Sequence, residues 1–486
     1  MSKQIGNLSP GGLWKNFAKI SRIPRASKKE VRISAYIKEF GERLGLPSDM
    51  DAAGNVVIKK PAAVGYENLK SVTLQAHLDM VPQKVPESPH NFETDPIRPI
   101  VRDGWVTADG TTLGADNGIG VAAILAVLES DSIAHGPLEA LFTVAEEIGL
   151  IGAAALQPGW IESDILLNLD GSDTESVCYG CAGGRSTTAL FPYRREKTPK
   201  GFCGYRLHVG GLTGGHSGFD IHLSRGNSIK ILIRMLRNIL MEYDVRISDI
   251  QGGSVANAIP REATAVLAIP ESSENAVTER LGRLAEIIKE EYQAVDLDLN
   301  TVLHQVEPPD ALIEKELSRR FIRATFACHN GLVAMFPGLP GVVGTSTNLA
   351  AIETKPEQIE ILTLQRSAVN SSKDEICAMI RDLFEMSGAK VSHNQDYPGW
   401  KPNEKSEILN IVTSLYKTKF GKAPKTLLTH GGLECGIIGD IYKGMDMITL
   451  GPNIVGMHSP NERVSISSVA KFWGLLKGVL AAIPNR

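Results

Sequence analysis

Two histidines and five acids in this 486-residue sequence could do chemistry together: His77, Asp79, Asp116, Glu146, Glu147, Asp170 and His458. In an extended strand, residues two apart face the same side, so the carboxylate of Asp79 can accept a hydrogen bond from the His77 imidazole. Such a partner fixes the tautomer and makes the other ring nitrogen a better metal ligand. Asp116, Glu147 and Asp170 bring carboxylates from separate segments. Two imidazoles and three carboxylates can hold two divalent cations with one carboxylate shared. Zinc accepts N and O donors of this kind, and manganese or cobalt suits them too. Each motif alone has an ordinary explanation: Asp-Asn-Gly is a turn, Glu-Glu a solvated pair, Asp-Gly a cap. Together they differ, because burying this many acids is costly without cations.

The elements around these residues explain how they would meet. Val72–Ala76, Leu138–Val144 and Ile165–Leu169 are short apolar runs suited to buried strands. The first ends at His77-Leu78-Asp79, the second runs into Glu146-Glu147, and the third ends at Asp170-Gly171. Between them, a Gly-flanked loop with Asp116-Asn117-Gly118 opens an apolar helix over Ile119–Leu128. Helical spacing also marks Leu13–Ile20 and Lys28–Leu44, a strand starts at Asn55, and Val81–Arg98 reads as a long loop. Strands that end in acids or histidine and alternate with helices form an α/β sheet with its site at the strand ends.

Length sets a prior of two to four domains. The middle of the chain contains β-like alternation and two long helical stretches, Ser228–Leu240 and Asn275–Gln293, without acids at strand ends. Helix and strand signals of the first kind resume near Val391, and His458 lies far along the chain from Asp170. The expected organisation is therefore an α/β catalytic domain in two parts, 1–184 and 391–486, around an inserted α/β lid domain, 185–390. The net charge of −4 opposes a general nucleic-acid or anionic-membrane binder. No window of about 18 apolar residues offers a membrane span, and the N-terminus lacks a signal-peptide h-region. Six irregularly spaced cysteines make no disulfide framework, and Cys178–Cys181 has no second pair to complete a zinc ribbon. A cytoplasmic setting is expected.

The strings HLDMVPQ, LGADNGIG, AEEIGLIGA, LNLDG and GPNIVGMHSPNE, with LTHGGLECG and SVANAIPREA, resemble the di-zinc aminopeptidase, deacetylase and dipeptidase superfamily over essentially the whole chain. The resemblance implies an α/β/α sandwich zinc-exopeptidase domain with a lid. It assigns His77 and Asp170 to one zinc, Glu147 and His458 to the other, and Asp116 to both. Asp79 would orient His77, Glu146 would be the general base, and the Asp116–Asn117 bond would be cis. In the lid, His216 of GGHSG would polarise the scissile carbonyl, with Asn257 a second candidate. Arg366 would grip the substrate carboxylate and Glu434 its amine.

The expected activity is hydrolysis of unblocked dipeptides, Xaa-His among them, by water activated between two zinc ions. An N-acyl amino acid amidohydrolase with the same metal shell is the alternative within this chemistry. A non-catalytic, metal-stabilised binding protein is the alternative from another class. The implied partner is a small peptide substrate, with no nucleic acid and no membrane, and a homodimer is expected by analogy.

Overall fold

The computed structural model describes residues 5–486; the first four residues of the N-terminal segment read above lie outside it. The chain forms two compact units. One contains the chain through Cys181, Trp400–Leu428 and Leu433–Arg486; the other contains Ala182–Gly399 and Thr429–Gly432.

The first unit is built on Val72–His77, Leu138–Thr143 and Ile165–Asn168, strands buried along their whole length. All three run parallel, with Val72 opposite both Leu138 and Ile165. Continuous apolar runs form such strands because helices cover a parallel sheet on both faces. Asp446–Thr449 arrives from the far C-terminal part and pairs parallel to Ile165–Asn168. The complete eight-stranded order is Ser48–Met50, Val56–Lys60, Leu138–Thr143, Val72–His77, Ile165–Asn168, Asp446–Thr449, Ser176–Cys181 and Lys425–Thr429.

Ala115–Glu129 is apolar on every side and almost wholly buried, as expected of a helix inside a core. Gly11–Ile20 packs on it, contributing Trp14 and Phe17. Tyr416 of Glu407–Phe420 and Phe472 of Ile466–Ala481 extend the same core. A small second sheet, in the order Ile454–Val455, Arg463–Ser465, Trp105–Ala108 and Pro99–Arg102, carries the loop with His458.

The second unit is an antiparallel sheet ordered Asn300–Val306, Phe202–Gly210, Ala263–Pro270, Arg246–Gly253, Val343–Thr354, Gln358–Ser367, Gly183–Pro192 and Lys390–Tyr397, with Gly331–Met335 also on Val343–Thr354. Ser228–Leu240 packs its apolar stripe into this unit's core. Asn227 caps that helix by accepting the N–H groups of Ile229 and Lys230, both at 3.1 Å. Glu274–Tyr292, Lys315–Ala327 and Asn370–Met386 contribute to the same core. The last two exceed the two helices anticipated in this region. The main segment of this unit ends at Gly399, beyond position 390, because Lys390–Tyr397 is an edge strand of its sheet. Among the described residues, no helix is long and apolar enough to cross a membrane.

Candidate metal centre and associated residues

The parallel strands end together, and their ends bear the acids. His77 closes its strand opposite Thr143; Glu146-Glu147 and Asp170 follow the neighbouring strands by a few residues. The carboxyl ends of parallel strands are where open α/β sheets place ligands.

Asp116 lies between the two imidazoles. Its Oδ1 is 3.2 Å from His77 Nε2 and its Oδ2 is 3.3 Å from His458 Nε2. His77 Nε2 is also 3.5 Å from Asp170 Oδ1, and His458 Nε2 is 3.0 Å from Glu147 Oε2. Donor atoms of three sets lie within 4.8 Å of one another: His77, Asp116 and Asp170; Asp116, Glu147 and His458; and His77, Glu146 and Glu147. The five side chains expected as ligands therefore converge, and the Glu146 carboxylate reaches the same place. The Asp116–Asn117 peptide is cis, and Asn117 Nδ2 donates to Asp170 Oδ1 at 2.5 Å.

The electrostatics describe an acid cluster leaning on imidazoles. Hydrogen bonds to Asp116 and Glu147 push His458 up to about 10. Burial alone would lower His77, but Asp170 and Asp116 carry it well above the usual histidine value. Burial raises Asp170 to about 6, with Asp116 adding repulsion. Glu146 rises well above the carboxylate range, first from burial and then from Asp170, Glu147 and Glu434. Asp116 moves the other way: bonds from His458 and His77 outweigh its burial.

The donor set fits divalent cations. Each imidazole Nε2 faces two carboxylate oxygens within 3.5 Å, yet it can direct only one lone pair or one proton. A cation among these atoms satisfies all of them at once, and N/O donors of this kind suit zinc or manganese. Glu147 Oε1, buried in the cluster, has no hydrogen-bond donor of its own.

Asp79 does more than face the imidazole. Its Oδ1 is 3.4 Å from His77 Nδ1, while its two oxygens accept the backbone N–H of Glu146 at 3.0 Å and of Glu147 at 3.3 Å. Ser27 Oγ donates to Oδ2 at 2.8 Å. Burial pushes Asp79 up, but these bonds and His77 outweigh it, and the carboxyl lies below its ordinary range.

Glu434 begins the Glu434–Ile441 helix and is 1% exposed. Its Oε2 accepts Gln75 Nε2 at 2.6 Å and Thr143 Oγ1 at 2.7 Å, leaving Oε1 without a donor. Burial raises this carboxyl to about 7. Gln75 thus has a function that its position within an apolar strand concealed. A buried amide in such a run is itself the signal, because it must find partners.

His216, Asn257 and Arg366 belong to the second unit. His216 Nδ1 accepts the N–H groups of Gly218 at 3.1 Å and Phe219 at 3.2 Å. In the neutral ring the proton therefore sits on Nε2, which is then a donor. The Phe219 ring lies 4.7 Å from the imidazole. Asn257 is exposed, and its carbonyl accepts Ser217 N–H at 2.7 Å.

Arg366 is 4% exposed and has no acidic partner among the described residues. Its Nη1 donates to Tyr397 Oη at 3.0 Å and its Nε to Ser217 Oγ at 3.4 Å. A buried guanidinium without a carboxylate is set up to receive one. Nearby in the same unit, His430 Nε2 and Ser346 Oγ are 2.7 Å apart. Tyr397 and His430 were not singled out in the sequence, although His430 lies in the quoted string LTHGGLECG.

Residues 73–482 match the model of peptidase family M20/M25/M40. The cytosol non-specific dipeptidase of Escherichia coli K12 is 41% identical over 483 residues, spanning 99% of this chain and all of that protein. The crystal structure of aminoacylhistidine dipeptidase from Vibrio alginolyticus superposes with a TM-score of 0.91 at 42% identity, each chain covered completely. A tripeptidase from Staphylococcus aureus shares the fold, with a TM-score of 0.58 at 19% identity over 98% of this chain and 99% of that one. With converging imidazoles and carboxylates at the ends of its parallel strands, the chain belongs to peptidase family M20/M25/M40.

Proposed function

We propose that this chain is a di-zinc dipeptidase that hydrolyses unblocked dipeptides, those ending in histidine among them. The observation that supports it best is Asp116 standing between His77 and His458, one carboxylate oxygen toward each. Family membership and the dipeptidase names of the two full-length relatives support the substrate class.

His77 and Asp170 would hold one cation, Glu147 and His458 the other, and Asp116 both. Bound there, the pair would supply Lewis acidity, polarising the scissile carbonyl and making water nucleophilic near neutral pH. The chain's own groups do the rest. A Glu146 carboxylate oxygen takes the proton of the attacking water and returns it to the leaving amine. Asp79 holds the Glu146 and Glu147 backbone in register with His77. His216 donates from Nε2 to the developing oxyanion, and Asn257 is assigned to the same carbonyl. Arg366 binds the substrate carboxylate through a planar fork of donors, and the open Glu434 Oε1 takes the substrate amine. We further propose that the chain acts as a homodimer in the cytoplasm.

The test is a panel of free dipeptides and their N-acetylated forms, run before and after chelation. Turnover of the free forms, lost on chelation and restored by zinc, is expected. Turnover of the acetylated forms alone would make the protein an amidohydrolase instead.

A further inference from the structure

We propose that Glu462 is a positioning residue that fixes the separation of Asp116 from His458, and with it the affinity of one of the two cation sites. The proposal rests on the two-cation reading of the centre. Glu462 lies in the same loop as His458, between Ile454–Val455 and Arg463–Ser465, and is 2% exposed. Its carboxylate accepts four consecutive backbone N–H groups. Oε2 takes Leu113 at 2.8 Å and Gly114 at 2.9 Å, and Oε1 takes Ala115 at 2.8 Å and Asp116 at 3.2 Å. Bonds from neutral donors to an ionised acceptor are about twice as strong as neutral pairs. Four of them on one buried carboxylate leave the Asp116 backbone little freedom relative to the His458 loop.

A second buried charge holds the other flank of the Asp116 loop. Arg25, 3% exposed, donates from Nη1 to the carbonyls of Leu78 at 2.9 Å and Asp79 at 3.0 Å, and from Nη2 to that of Gly114. Arg25 therefore joins the strand end bearing His77 to the loop bearing Asp116, and Glu462 joins that loop to the one bearing His458. The two clusters that share Asp116 are thus held by different residues. Loss of the Glu462 carboxylate loosens Asp116 against His458, while Arg25 still ties Asp116 to the His77 side. The cation among Asp116, Glu147 and His458 should suffer, and the one among His77, Asp116 and Asp170 should not.

The Glu462→Gln variant tests this with little change of shape, because its amide group turns a donor toward two N–H groups that need an acceptor. The metal-free protein, its fold checked by circular dichroism, is titrated with zinc chloride in a calorimeter, and bound zinc is counted by elemental analysis. Wild type should bind two zinc ions. E462Q should bind one with unchanged affinity and the second about 10- to 100-fold more weakly, the range usual for loss of a residue that orients ligands. Wild-type affinity at both sites, or equal weakening of both, overturns the proposal. Wild type binding fewer than two ions would overturn the two-cation reading itself. If E462Q does not fold, E462D keeps the charge on a shorter arm. It should show the same one-sided weakening to a smaller degree, and wild-type affinity at both sites in E462D overturns the proposal equally.

Discussion

Asp79 Oδ1 accepts the backbone N–H of Glu146 at 3.0 Å. One carboxylate at the end of Val72–His77 therefore fixes where the next strand's exit delivers its pair of glutamates. In Asp79→Asn, one oxygen becomes an NH2 group that cannot accept an N–H. Zinc affinity and kcat should each fall about 10- to 100-fold, measured by metal titration and steady-state kinetics. Unchanged values would limit Asp79 to a passive place in the fold.

Glu146 can be separated from the ligands by its effect on metal. Removing a general base costs about 10²- to 10⁴-fold in rate, so Glu146→Gln should lose that much kcat while retaining both zinc ions. The Glu146 carboxylate also lies within reach of His77 and Glu147. Loss of a metal ion together with turnover would therefore move it into the ligand set.

Arg366 should govern KM more than kcat. Hydrogen bonds to charged groups are worth about 1.5–3 kcal/mol, so Arg366→Lys, which keeps the charge and loses the fork, should lower kcat/KM about 10- to 100-fold, mainly through KM. Tyr397→Phe removes the acceptor of Nη1 and should produce a weaker change of the same kind. A pure kcat effect in either variant would argue against a carboxylate grip.

His430 supplies a pH dependence of stability. Burial, with Arg366 next in effect, lowers its pKa from 6.5 to about 3. A depressed histidine stabilises the fold above its unfolded pKa, and that contribution is lost as pH falls toward the folded value. The stability difference between wild type and His430→Asn should thus shrink from about pH 7 to pH 4, by roughly 1.4 kcal/mol per unit at its steepest. Urea unfolding at a series of pH values measures this; a constant difference would show that His430 does not titrate in this way.

The strands that carry the site were legible because each is a short apolar run with a charged end: 72–76, 138–144 and 165–169 appear as Val72–His77, Leu138–Thr143 and Ile165–Asn168. Ser228–Leu240 was legible to the residue from its apolar spacing. The small sheet under His458 was not, because its strands of two to four residues are too short to show alternation. Lys315–Ala327 and Asn370–Met386 escaped because polar residues stand within their buried faces, Ser318 and Thr325 in the first and Lys373 in the second. Glu462 stood inside the quoted string GPNIVGMHSPNE, four residues after His458, but nothing local shows that a carboxylate will meet amides from positions 113–116. Arg25 is the same case: its partners are carbonyls, which no side-chain pattern reveals.

The strand Asp446–Thr449 lies inside the first unit's sheet, between Ile165–Asn168 and Ser176–Cys181. During synthesis on the ribosome, Ala182–Gly399 emerges in full before this strand and His458 are made. Domains generally fold as units while the chain grows, so the antiparallel unit can settle while the first unit's sheet still lacks the strand between Ile165–Asn168 and Ser176–Cys181. The second imidazole of the centre, His458, is translated after Ala182–Gly399, so a nascent or truncated chain that stops short of it cannot complete the centre.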